Sequence, residues 1–217
     1  MAPSGDEVTY LCRAVSEFFR ERVEPADVVW AFAGVRSLHD ESDGKDAPEV
    51  VTRDYKLVLD EKFGTAPVLT IYGGKITTYR RLAEDALERL SHFLQLHRPF
   101  TATVPLPGGD FLWDAIGTRV AQTLRAWPFL SESETWRLVR AYGTRVERVM
   151  GDARQRSDIA PFFGPLSAAE VRYLMTYEWA RTADDLLWRR SKLGLKLTAA
   201  EKEALAQFMA TSSASPP

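Results

Sequence analysis

The amino-acid sequence predicts an α+β protein in which short antiparallel strands come first and an all-helical region follows. Short apolar runs bounded by turn formers are confined to the first part of the chain. Past residue 110 the apolar residues recur at helical spacing, and several stretches open on a Ser or Thr with an acid three positions later. Between the two lies TATVPLPGGD, 101–110, whose prolines and paired glycines mark a boundary. The expected organisation is a mixed segment over 1–100, an all-helical C-terminal domain over 101–210 and a flexible tail over 211–217.

The elements follow in order. Residues 7–23 read as a helix: Ser4 and Glu7 are spaced as a capping box, and Val8, Leu11, Cys12, Val15, Phe18, Phe19 and Val23 form one apolar stripe. VVWAFAG, 28–34, reads as a strand, and TRDYKLVLD (52–60) and PVLTIYG (67–73) as two more that pair as an antiparallel hairpin. The polar stretch between 36 and 50 is a loop. A helix is expected from about 78 to 96, ended by Pro99. Beyond the boundary, helices are expected over 111–126, 132–142, 145–151, 168–180, 182–191 and 199–210. Box-like starts at Ser131/Glu134, Thr144/Glu147, Ser167/Glu170, Thr182/Asp185 and Thr198/Glu201 support them. Helices this short are marginal alone and must pack on one another. The mixed part has few ways to cover both faces of a sheet, so it is expected to be the end of a larger domain.

Composition narrows the function classes. Net charge is -2, and residues 1–99 carry 13 basic and 17 acidic side chains against 15 and 13 in the remainder. Neither half is strongly basic, which argues against nucleic acid as a partner. Cys12 is the only cysteine, so no disulfide can form within the chain. It sits in an apolar stripe and reads as core. His39, His92 and His97 lack metal-ligand spacing, and DESDGKD lacks the closing Glu of a calcium loop, so no metal site is expected.

The stretch carrying chemical promise is YGGKITTYR, 72–80. Gly73 and Gly74 admit backbone angles that other residues resist and let a ligand come close. The helix that follows begins with N–H groups lacking an internal acceptor, whose dipoles favour a negative group or an electron-rich oxygen. Lys75 adds a cation, and Thr77 or Thr78 can cap. Neither GxxxxGK[ST] nor GxGxxG occurs, so the junction is neither a P-loop nor a dinucleotide fingerprint. A tight strand-to-helix turn with a solvated lysine fits the same residues. Arg36 and Arg53 flank strand ends, where guanidinium forks can clamp a phosphate. Each read singly is a surface ion-pair partner of the neighbouring acids.

The ordered series VVWAFAGVRSL, HDESD, TRDYKLVLD and PVLTIYGGKITTYRRLAEDALERL is similar to the C-terminal part of the FAD-dependent glycerol-3-phosphate dehydrogenases. PLPGGD, AYGTRVERVM and EVRYLMTYEWARTADDLLWRRSKLGL resemble that family's helical C-terminal domain, so the resemblance spans about 6–210. It implies an incomplete FAD-oxidoreductase segment of D-amino acid oxidase-like fold, over 1–100, before the helical domain. By resemblance Gly73, Gly74, Lys75, Ile76 and Thr77 bind the flavin, and Arg36 and Arg53 bind substrate. Ser37 departs from the family's proline, which implies a less rigid loop after Arg36. The resemblance implies oxidation of sn-glycerol 3-phosphate to dihydroxyacetone phosphate, with FAD as cofactor and a membrane quinone as acceptor. It also implies a parent held peripherally at the cytoplasmic face of a membrane, with a homodimer among the possibilities. The catalytic base is expected from an N-terminal region this chain lacks, so the chain alone is expected to be inactive and without FAD. The rival reading is a helical interaction or dimerisation module.

Overall fold

The computed structural model describes residues 2–34, 54–62 and 64–212. Arg36, Ser37, His39 and Arg53 therefore lie outside the described residues. The chain divides into two compact units, Met1–Val104 and Pro105–Pro217.

In the first unit, α1 (Gly5–Ser16) begins at the capping box: Ser4 Oγ accepts the Glu7 N–H at 3.3 Å, and the Glu7 carboxylate accepts the Ser4 N–H at 2.7 Å. The helix stops at Ser16, short of the expected Val23. Ser16 Oγ accepts the Val23 N–H at 2.9 Å, folding the following residues back over the last turn. Residues 28–34 form no strand. They are apolar enough for one, but no described neighbour offers a ladder, and an apolar run does not make a strand without a partner. β1 (Lys56–Asp60) and β2 (Val68–Tyr72) do pair antiparallel, Lys56 opposite Tyr72 and Asp60 opposite Val68. A single 3-10 turn, Ile76–Thr78, then leads into α2 (Tyr79–Arg89). The expected extension of α2 to 96 breaks into turns after Leu90.

The described residues of this unit form almost no interior. Cys12 is the one buried hydrophobic among its described residues, while Phe18, Val29 and Ile76 are each more than 80% exposed. Large apolar side chains left wet in this way mark a surface built to be covered.

The second unit has a contiguous core. α3 (Ile116–Ala126) packs against α4 (Glu132–Tyr142), followed by α5 (Val146–Met150), α6 (Ala168–Tyr177) and α7 (Ala199–Ser212). Val120, Leu138, Val146, Val171, Leu186 and Leu205 are among its fully buried residues. A two-residue ladder, β3 (Phe162–Phe163) with β4 (Leu166–Ser167), sits among the helices. No alternation announces so short a pair in the sequence. The stretch 182–191 is not an α-helix throughout: Asp185–Arg190 wind as a π-helix. Leu186 O there accepts both the backbone N–H and the hydroxyl of Ser191, at 3.1 and 2.7 Å.

Two interactions tie this unit together. Gly108 (φ +91°) and Gly143 (φ +57°) cross back to back, so that a Cβ on Gly143 would lie 1.8 Å from Gly108 O. The Thr144 N–H donates to that same oxygen at 3.1 Å. PLPGGD and AYGTR, distant in sequence, thus meet as one backbone crossing. Thr144 and Glu147 do not cap α5. The Thr144 hydroxyl donates to Asp110, and Glu147 accepts from Arg119 at 2.6 Å. The second interaction is buried. Glu170, 1% exposed, takes a two-pronged bond from Arg137 at 2.7 Å on each arm and a third from the Tyr142 hydroxyl at 2.7 Å. Ser167 still caps α6 by accepting the Glu170 N–H at 3.2 Å, but the Glu170 carboxylate is diverted to join α4 to α6.

Acid should loosen this unit through its caps. The Arg156 guanidinium, bonded at 2.7 and 3.1 Å, is the main cause holding the Glu134 carboxyl at about 2. The backbone N–H groups of Arg181 and Thr182 hold Asp185 at about 2. Both values lie below those of the unfolded groups, 4.5 and 3.8. Their stabilisation is complete above the unfolded values and is lost as pH falls towards about 2. The melting temperature of the second unit is expected to drop across that window. Glu134→Gln should lower it at neutral pH and flatten the acid limb; an unchanged limb would exclude this source.

Candidate functional site

The turn joining β2 to α2 is the feature best suited to hold a ligand. Gly73 and Gly74 both take positive φ, +67° and +101°. Gly74 cannot carry a side chain without strain: a Cβ there would meet Leu82 Cδ1 at 3.3 Å and Tyr55 Cβ at 3.5 Å. Among the described residues no acceptor takes the backbone N–H of Gly74, Ile76 or Thr77. Ile76 projects outward at 89% exposure. Thr78 closes the turn, its N–H and hydroxyl reaching Lys75 O at 3.1 and 3.0 Å. The result is a group of donors without an acceptor among the described residues, next to a glycine pair that leaves the backbone open, an arrangement that suits an anion or a polarised carbonyl.

Lys75 is not simply solvated. Its ammonium pairs with Asp54 at 2.9 Å. Asp54 follows Arg53 in the sequence, so this pair brings the end of the TRDY stretch to the glycine turn. A brace lies behind it that the sequence did not reveal. The Tyr55 hydroxyl donates to Asp85 on α2, and this bond raises the phenol's pKa above its ordinary value. Tyr55 and Leu82 together form the wall against which Gly74 rests. The only sequence signal was the aromatic inside TRDY, and nothing in it names a partner 30 residues on. Arg80 and Thr101 converge on Glu84 further along, Arg80 at 2.9 Å, and fix the outer face of α2. Arg36 and Arg53 lie outside the described residues, so the geometry joins Gly73, Gly74, Lys75, Ile76 and Thr77 alone. Among the described residues no group of His, Cys, Asp or Glu could hold a metal ion. No described helix is long and apolar enough to cross a membrane.

An α+β chain with a glycine turn opening a helix, followed by a compact helical domain, defines a composite class: a strand-and-turn segment joined to a helical module. The comparisons make the class specific. Residues 99–214 match the profile of the C-terminal domain of alpha-glycerophosphate oxidase, and the chain belongs to that family. It is 40% identical over 205 residues to the aerobic glycerol-3-phosphate dehydrogenase of Escherichia coli K12, covering 94% of this chain and 40% of that protein. It is 40% identical over 211 residues to a glycerol-3-phosphate dehydrogenase of Pseudomonas aeruginosa, with 96% and 41% covered. It is 42% identical over 211 residues to the D-erythritol 1-phosphate dehydrogenase of Brucella abortus, with the same coverage. The chain corresponds to the C-terminal part of such dehydrogenases and spans about two-fifths of their length.

Proposed function

We propose that this chain is the C-terminal part of an FAD-dependent enzyme that oxidises a polyol phosphate, sn-glycerol 3-phosphate in the first instance, and passes the electrons to a quinone. The observation that carries the reading is the Gly73–Gly74 turn with its unused N–H groups. The donors fit a flavin: the side-chain-free backbone at Gly73 and Gly74 would admit a flat ring, and the Gly74, Ile76 and Thr77 N–H groups would suit its electron-rich oxygens. FAD, when bound, supplies the hydride acceptor. The chain's own part is to hold that ring and to offer donors where negative charge gathers, without reorganising at the moment of reaction. Lys75, anchored by Asp54, adds a fixed positive charge beside them. Arg36 and Arg53 would clamp the substrate phosphate. The same reading makes residues 1–100 the end of the FAD and substrate domain, with the parent peripheral at the cytoplasmic membrane face. The exposed apolar side chains of the first unit support it.

The alone-inactive expectation is direct to check. After incubation with FAD and dialysis, the purified chain should show no flavin absorbance. Fused behind the remaining part of the Escherichia coli relative, it should retain flavin and reduce an artificial acceptor with glycerol 3-phosphate. Gly74→Val in that fusion should release the flavin while the helical unit melts unchanged. Arg53→Ala should raise KM for the phosphate ester about tenfold to a hundredfold. A fusion that binds FAD but oxidises no polyol phosphate would overturn the assignment. D-erythritol 1-phosphate is the second candidate substrate, on the strength of the Brucella abortus similarity. The ratio of kcat/KM for the two esters decides between them.

A further inference from the structure

The second unit contains a hollow of about 430 Å³ between the end of α6 and the π-helix. Four cations line it, Arg137, Arg190, Lys192 and Lys196, against two carboxylates, Glu170 and Glu178. Glu170 is already matched by Arg137 and Tyr142. Arg190 spends Nε and Nη2 on the backbone oxygen of Glu178, at 2.9 and 2.7 Å, which orients the guanidinium without neutralising it. Among the described residues no carboxylate pairs with Arg190 or Lys196. Leu174, Leu193 and Leu195 supply an apolar side.

The backbone around the hollow is unusual on both flanks. Trp179, next to the clamped Glu178 carbonyl, is a non-glycine residue at φ +56°. The π-helix opposite ends at Arg190 itself. Such wide turns and left-handed residues are retained where the surroundings hold them, often at ligand sites.

We propose that this hollow binds a small organic phosphate monoester, its phosphate held by Arg190 and Lys196 and its short carbon body against the leucines. Arg190 and Lys196, the two cations with no carboxylate partner among the described residues, match a dianion. The free Nη1 of Arg190 and the Lys196 ammonium are donors suited to phosphate oxygens. The volume suits a small ligand. The proposal does not depend on the flavin reading of the first unit.

Calorimetric titration of the intact chain with glycerol 3-phosphate tests it, with glycerol as the neutral control. Saturable binding is expected, absent for glycerol. Lys196→Gln should weaken it about tenfold with no change in melting temperature. Arg190→Ala should weaken it further, but also frees the Glu178 carbonyl, so Lys196→Gln is the decisive variant. The Arg36→Gln/Arg53→Gln double variant should bind as the parent chain does, separating this hollow from the substrate arginines. No saturable binding, or binding that survives Lys196→Gln, overturns the proposal. So does association only with vesicles containing phosphatidic acid, which would assign the cations to a lipid headgroup.

Discussion

Gly143→Ala is expected to destabilise the helical unit by about 3 kcal/mol or more, combining left-handed strain with overpacking. The added methyl would fall on Gly108 O, a backbone atom that cannot swing aside. Relief requires the 105–110 strand of chain to lift, which breaks the Thr144 N–H bond to Gly108 O and pulls Asp110 from Thr144. Gly108→Ala should behave similarly, because its Cβ would lie 2.5 Å from Tyr142 O. Gly151→Ala is the control: it also has positive φ, +53°, but nothing lies within 4 Å of its Cβ, so only strain remains. Urea unfolding followed by tryptophan fluorescence ranks the three. Equal losses at Gly143 and Gly151 would show that the crossing contributes nothing beyond backbone strain.

Glu170→Ala is expected to cost about 3–5 kcal/mol, since it strands the Arg137 guanidinium and the Tyr142 hydroxyl without their carboxylate. Arg137 has little reserve: its Nε is buried without a partner, and Pro165 O would remain its acceptor at 2.8 Å. The double variant Arg137→Met/Glu170→Leu should recover much of the loss, because a buried pair replaced whole by apolar groups of similar volume is often neutral. Arg137→Met, Glu170→Leu and the double form a cycle whose coupling term should be large. Additive losses would mean the pair does not act as a unit. In the native protein Glu170 also holds Tyr142 as the neutral phenol, since burial first and the adjacent carboxylate second push its pKa far up.

How far the sequence foretold the fold depended on whether a signal was local. Ser4/Glu7, Ser131/Glu134, Thr182/Asp185 and Thr198/Glu201 are local devices, and each forms reciprocally. Thr144/Glu147 has the same spacing, yet Asp110 and Arg119 claim its side chains from elsewhere. Glu170 shows the same competition. A spacing rule sees what a side chain could do next door, not which distant partner outbids the neighbour. Residues 28–34 failed for a related reason, since strand formation needs a partner the pattern does not contain. Of the candidate site, Gly73 and Gly74 were legible because positive φ leaves a mark in residue choice. The Tyr55–Asp85 brace and the Lys75–Asp54 pair were not, as both depend on tertiary approach. The Asp185–Arg190 π-winding leaves no compositional trace either; at its end Leu186 O takes both the backbone N–H and the hydroxyl of Ser191.

The uneven interior has a practical consequence. A molecule whose described residues keep one buried hydrophobic side chain in the first unit and twenty in the second should come apart in sequence, not at once. A brief exposure to protease ought to strip the leading portion and leave a resistant remnant starting near Pro105. That remnant, cloned by itself, is the piece to carry into crystals.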